Sequence, residues 1–176
     1  MYEVDFLKVG TAGKSGDAIA MRYTYTNPAG APTQIVAVID GGFRDVAQDI
    51  EQHVRTHYGT DTIDLVISTH PDGDHINGLT PLIQNMNVTH LLVHNPRNHV
   101  NDVSDLGVDE IDNLIAAARA RGTSVEVEPF AGVSAFDGTL QIVGSIGLSS
   151  PNSSSSFEQA PSGRSPRLRA SFAEPF

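Results

Sequence analysis

The stretch Val66–Leu79, VISTHPDGDHINGL, decides how the chain is read. A run of apolar and small residues ends in Thr69 and His70, and Asp72, Asp74 and His75 follow within five positions. In α/β proteins, ligands gather outside the carboxyl ends of strands, which is where this apolar run delivers its first histidine. In backbone that is still extended, His70 and Asp72 point the same way. Gly73 can then turn the chain and aim Asp74 and His75 at a second point. One short loop could therefore offer two ligands to each of two adjacent ions. Ions about 3.5–4 Å apart can together activate a water and steady a leaving oxygen in hydrolysis.

Three plainer readings compete with this one. A calcium loop of the D-x-[DN]-x-[DN]-G type, begun at Asp72, would place Ile76 and Ile83 where oxygen ligands are required, so it fails. An acidic surface turn is a common fate of PDGD but leaves the bracketing histidines unexplained. Helix capping by Asp74 is compatible with metal binding.

The rest of the chain narrows the chemistry. There is no cysteine among the 176 residues, which removes disulfides, thiolate metal sites and thiol nucleophiles and leaves oxygen and imidazole ligands. With 21 acidic and 11 basic residues the net charge is -10, which disfavours unspecific binding to nucleic acid or anionic membranes. A stable nucleic-acid partner or a membrane is not expected. A bound cation could still recruit an anionic small molecule or a phosphodiester. The opening MYEVDFLKVG has neither the basic region nor the apolar length of a signal peptide, so a soluble, cytoplasmic protein is the expectation. Composition leaves the oligomeric state open.

Patterning predicts strands at 4–9, 18–26 and 34–39, with the turn NPAGAP between the last two. Val46, Ile50 and Val54 then fall four apart and predict an amphipathic helix over 44–58, stopped by Gly59. A buried strand at 63–68, a short helix at 78–86 and a strand at 89–94 follow. The clearest helix is 108–121, with Gly122 as its stop, and SVEVE and LQIVG supply two further short strands. Strands first and then alternating helix and strand is a mixed α/β pattern, with helices over one face of a sheet. From residue 148 the chain becomes rich in serine and proline without periodicity. Residues 1–147 are therefore read as the folded domain and 148–176 as a disordered tail.

On these residues a family resemblance rests. STHPDGDHINGL resembles the His-x-His-x-Asp-His signature of metallo-β-lactamase-fold hydrolases, with Asp72 in place of the second histidine. The His-x-Asp-x-Asp-His form followed by Ile-x-Gly-Leu is similar to the hydrolase domain of bacterial DNA-uptake (competence) proteins. FLKVGTAGKSGDAIAMRY resembles that group's opening strand pair, with Gly16 and Asp17 as its Gly-Asp, and VIDGGF its strand ending in Asp40, Gly41 and Gly42. The resemblance implies the N-terminal half of an αββα sandwich and a metal-dependent hydrolase acting on a phosphodiester or other ester-like bond. It implies two divalent ions, zinc first, with manganese or magnesium made an alternative by the added carboxylate. His70 and Asp72 would hold one ion, and Asp74 and His75 the second, with Asp74 as the catalytic carboxylate. Asp40 would lie beneath them and orient ligands, and Asp17 would contact ligands or substrate.

The family also uses an aspartate in a later Gly-Asp strand and a late histidine. Here no Gly-Asp follows residue 138 and the last histidine is His99. The expectation is a chain truncated towards its C-terminus, and the alternative function is a non-catalytic fragment or binding module with an incomplete metal site. His94, ending a strand beside the one that carries His70, could line the same mouth. GTAGKSG is not a phosphate loop, because the position five residues before Gly13, where the motif needs glycine, is Lys8. His53 and His57, four apart but without the glutamate of the zinc-protease motif, read as boundary packing.

Overall fold

The computed structural model describes residues 2–11, 13–27, 29–98 and 107–127, together with 129, 132, 134–135, 140–144 and 169–172. His99 and Asp102, and most of the expected tail, lie outside the described residues.

The first three strands are β1 (Tyr2–Phe6), β2 (Ala18–Thr26) and β3 (Pro32–Gly41), each antiparallel to the one before. β1 lies two residues nearer the N-terminus than patterning predicts. The shift brings Tyr2 opposite Tyr23, where the rings stack at 4.7 Å. Leu7 and Val9, which the alternation placed in the strand, lie beyond its end and pack against the helical core, with the Leu7 N–H still donating to the Ala18 carbonyl at 2.9 Å. Residues 10–16 join two antiparallel strands, as expected of a turn loop rather than a phosphate loop.

Helix α1 (Val46–His53) runs into a π-helical turn, Val54–Tyr58, which patterning read as the continuation of one α-helix. In this wider turn Val54 and Tyr58 are both buried. Three parallel strands then extend the sheet: β4 (Thr62–Ser68), β5 (Asn87–Val93) and β6 (Ser124–Val127). Two helices, α2 (Gly73–Ile76) and α3 (Leu79–Asn85), connect β4 to β5, and α4 (Val108–Ala120) precedes β6. On α4 the fully buried Ile111, Leu114 and Ala118 recur at helical spacing and form one apolar stripe. The sheet order is β1-β2-β3-β4-β5-β6.

Both faces of the central strands are covered. Towards the helices, Ala20, Val38, Val66 and Leu91 meet Ile50, Leu82, Ile83 and Leu114. On the other face, Met21, Ala37, Leu65, Ile67 and Leu92 meet Ile142. Ile142 belongs to β8 (Leu140–Gly144), the middle strand of a second sheet with β7 (Ser134–Ala135) and β9 (Arg169–Phe172). Two-sided burial explains why IDLVIS carries almost no polar alternation. Each such buried Leu or Ile contributes about 2 kcal/mol of hydrophobic stabilisation.

The architecture is mixed α/β, with a helical layer, a six-stranded sheet and a second sheet against its far face. Among the described residues of the stretch 148–176, the four of β9 pair with β8. Among the described residues, no helix is long and apolar enough to cross a membrane.

Candidate metal centre

β3 and β4 pair in parallel, with Ile39 opposite Ile67, so Asp40 arrives beside the end of β4. Asp40 is the one non-glycine described residue with positive φ, at 56°. Aspartate tolerates that left-handed backbone better than most residues, because its short polar side chain bonds locally. The bend turns a buried carboxylate under the Thr69–His75 loop. There Asp40 Oδ1 accepts the Thr69 N–H at 2.8 Å, and Oδ2 accepts the Thr69 hydroxyl at 2.5 Å. Oδ2 also lies 3.0 Å from His75 Nδ1. An ionised carboxylate only accepts hydrogen bonds, so His75 must carry its proton on Nδ1 and turn Nε2 outward.

The loop itself begins α2. Asp72 occupies the N-cap position with extended backbone, and its carbonyl accepts from the His75 and Ile76 N–H groups. Its side chain makes no capping bond, so the expected alternative of Asp74 as a helix cap is replaced by Asp72 in that position with its carboxylate turned elsewhere. One helical turn then brings the two imidazoles together, with ring centroids 3.9 Å apart and planes tilted by 49°. Asp72 Oδ2 sits 3.4 Å from His70 Nε2, and Asp74 Oδ2 sits 4.0 Å from His75 Nε2. These are the same His–Asp pairs that the family resemblance assigns to two ions.

Close backbone approach holds this arrangement. The Asp17 N–H donates to the Asp74 carbonyl at 3.2 Å, and the Gly78 N–H donates to the Gly42 carbonyl at 3.0 Å. A Cβ on Gly16 would collide with the Asp74 carbonyl oxygen, and one on Gly78 with the Gly41 carbonyl oxygen. Glycine at these two positions lets the loops touch through their main chains.

Exposure rises across the site, from side chains 2% exposed at His70 and 11% at His75 to 33% at Asp74, 49% at Asp72 and 60% at Asp17. The imidazoles thus form the floor and the carboxylates the rim. Burial opposes charging His75. The hydrogen bond to Asp40 and the negative charges of Asp40, Asp74 and Asp17 outweigh it, so the pKa is raised. Asp17 contributes from 3.7 Å. Buried imidazoles under a rim of carboxylates favour positive charge, and their chemistry fits a divalent cation with nitrogen and oxygen ligands.

One atom each from Asp40, His70 and His75 also falls within 4.8 Å of the other two, so Asp40 could in principle ligate directly. Its oxygens already lie within hydrogen-bonding distance of the Thr69 N–H, the Thr69 hydroxyl and His75 Nδ1. The structure therefore gathers Asp17, Asp40, His70, Asp72, Asp74 and His75 at one point. His94 follows β5, buried, with its N–H bonded to the Ser68 carbonyl at 3.3 Å, which places it at the same end of the sheet. His53 and His57 lie elsewhere, with rings 4.7 Å apart, and His53 bonds Asp5. Thr69 is the residue whose part the sequence reading missed. Its signal was a hydroxyl directly before the histidine at a strand end.

Solved structures similar to this chain are metallo-β-lactamases. That from Hirschia baltica is 16% identical, with a TM-score of 0.36, over 80% of this chain and 59% of the other. FIM-1 from Pseudomonas aeruginosa, in its mono-zinc form, is 15% identical with a TM-score of 0.38, over 80% and 58%. The enzyme from Pontibacter korlensis is 16% identical with a TM-score of 0.38, over 80% and 60%. The chain thus spans about three-fifths of the length of these solved structures. No protein-family model matches the chain. No curated protein matches it in sequence.

Proposed function

We propose that this chain is a metal-dependent hydrolase, or the ligand-bearing half of one, acting on a phosphodiester or another ester-like bond. The observation that carries the reading is the buried Asp40 beneath two adjacent imidazoles, each with a rim carboxylate within 4.0 Å of its Nε2. His70 and Asp72 would hold one ion and His75 and Asp74 a second, with zinc the first expectation and manganese or magnesium the alternatives. Bound there, such ions supply Lewis acidity that activates water and stabilises charge on a leaving oxygen. Asp40 fixes the His75 ring so that Nε2 faces the site. Asp74, one-third exposed, faces solvent at the rim, where a carboxylate can position the attacking water and accept its proton. Asp17 and His94 would contact substrate or ligands from the flanks. The acidic chain favours a small phosphoester over long nucleic acid, and the resemblance to competence-type hydrolases keeps the phosphodiester class in view.

A second reading is a binding module without a catalytic centre. It draws on the donor count, since two protein ligands per ion fall short of the three that catalytic zinc sites keep. Metal analysis of the purified chain separates the two. Close to two ions per chain, with hydrolysis of bis(p-nitrophenyl) phosphate lost in Asp74→Ala, is the result expected of the hydrolase. Metal bound without turnover would select the binding module. An ion content near zero, unchanged by His70→Ala or His75→Ala, would overturn both.

A further inference from the structure

The geometry points to Thr69 as a positioning residue that sets the tautomer of His70 and so aims its Nε2 at the ion. The inference deepens the proposed metal-binding reading and rests on it for the identity of the ligand. A threonine hydroxyl has a single proton to donate and lone pairs to accept with. Thr69 Oγ1 lies 2.5 Å from Asp40 Oδ2, and an ionised carboxylate has no proton of its own, so the hydroxyl proton must lie in that contact. Thr69 Oγ1 also lies 2.8 Å from His70 Nδ1. Towards that nitrogen the hydroxyl can then only accept, and Nδ1 must be the N–H.

In neutral His70 the lone pair is consequently on Nε2, the nitrogen beside Asp72. Asp40 thus governs both imidazoles, His75 by direct contact and His70 through the Thr69 hydroxyl. The arrangement is sequence-local at one end and long-range at the other. Thr69 and His70 are neighbours at the end of β4, while Asp40 arrives from β3. The Thr69 N–H to Asp40 Oδ1 bond fixes the backbone independently of the hydroxyl, so removing the hydroxyl tests tautomer control without unfastening the loop.

The experiment compares Thr69→Val and Thr69→Ala, which lack the hydroxyl, with Thr69→Ser, which keeps it. The first readout is the protonated ring nitrogen of His70 in metal-free, 15N-labelled protein, read by long-range proton–nitrogen correlation at mildly alkaline pH. The second is zinc affinity against a competing chromophoric chelator. Wild type and Thr69→Ser are expected to show Nδ1–H, and the two hydroxyl-free variants a shift of population to Nε2–H. Zinc affinity is expected to fall roughly 10–100-fold in those two, as for other residues that orient metal-binding histidines, and to recover with serine.

Unchanged tautomer in both hydroxyl-free variants, or zinc affinity equal to wild type, would overturn the role of Thr69 while leaving the metal-binding reading intact. A hydroxyl-dependent tautomer in a chain that binds no zinc would do the reverse, sinking the metal reading alone. Because valine and alanine remove the same group with different shapes, failure of one to fold leaves the other to decide.

Discussion

Two histidine–aspartate clusters among the described residues use the imidazole in opposite ways. At the carboxyl end of the sheet, Asp40 takes Nδ1 of His75 and, through Thr69, Nδ1 of His70, so both rings turn Nε2 towards the carboxylate rim. At the sheet's edge, Asp5 lies 3.0 Å from Nε2 of His53 and accepts the Tyr58 hydroxyl at 2.6 Å. That cluster ties β1 to the π-helical turn, and Arg22 lies over the Tyr58 ring while also pairing with Glu3. Residue types are nearly the same in the two places. What differs is which nitrogen the carboxylate consumes, and how deep the carboxylate lies: the Asp40 side chain is 4% exposed, that of Asp5 31%. A histidine beside an aspartate is therefore a ligand candidate or a fastener according to geometry that residue type alone does not carry.

The largest effect should come from Asp40. Asp40→Ala strands three donors in a buried site and removes the side chain that suits a φ of 56°, so a loss on the order of 3 kcal/mol is expected in urea denaturation. Asp40→Asn keeps a residue that tolerates left-handed backbone but presents an amide to one set of donors. It should cost less stability while still weakening zinc binding by roughly 10–100-fold in calorimetric titration. Equal stability of Asp40→Ala and wild type would break the comparison at its root.

Next comes the main-chain seam. Gly78→Ala should destabilise by about 2 kcal/mol, because the new methyl meets the Gly41 carbonyl and neither backbone can yield cheaply. Gly16 lies in the loop between β1 and β2. Gly16→Ala is expected to cost about 1 kcal/mol and to displace Asp74, with the larger change in zinc affinity than in thermal unfolding. If affinity holds while stability falls, the 16–17 loop is scaffold and not part of the site.

Much of this was legible in the sequence, for reasons that can be named. The periods of β2 and α4 stand in the chain because each buries a regular set of side chains, and the candidate metal loop stands out because two histidines and two aspartates crowd into six positions. The role of Asp40 came only through family resemblance, since its partners Thr69 and His75 lie 29 and 35 residues away. Thr69 went unread because its function depends on a contact with that distant carboxylate. The π-helical turn also went unread. Val54 and Tyr58 keep the four-residue spacing of an α-helix, and spacing alone does not show how the backbone bonds are drawn. The helix within GDHI escaped because four residues are too few to show a period.

The smallest effects belong to the edge cluster, where they sharpen the contrast. Asp5→Asn and Tyr58→Phe should each leave zinc affinity at the wild-type value, since neither residue touches the centre. Tyr58→Phe removes a part-buried hydroxyl bond and should cost about 1 kcal/mol. Asp5 adds a pH signature. The Tyr58 hydroxyl bond holds its carboxyl below the usual aspartate range, burial works against that shift, and the bond and charge of His53 reinforce it. A carboxyl whose folded pKa is depressed contributes stability above its unfolded value, and the contribution drains away as pH falls through the lower folded value. The gap in urea midpoint between wild type and Asp5→Asn should thus be steady near neutrality and close as pH drops below the ordinary aspartate range. Asp5 is substantially solvent-exposed, so the gap at neutral pH should be small. A gap that persisted undiminished into strong acid would mean that the Asp5 charge contributes nothing and that the edge is held by the tilted and edge-on rings of His53, His57 and Tyr58 alone.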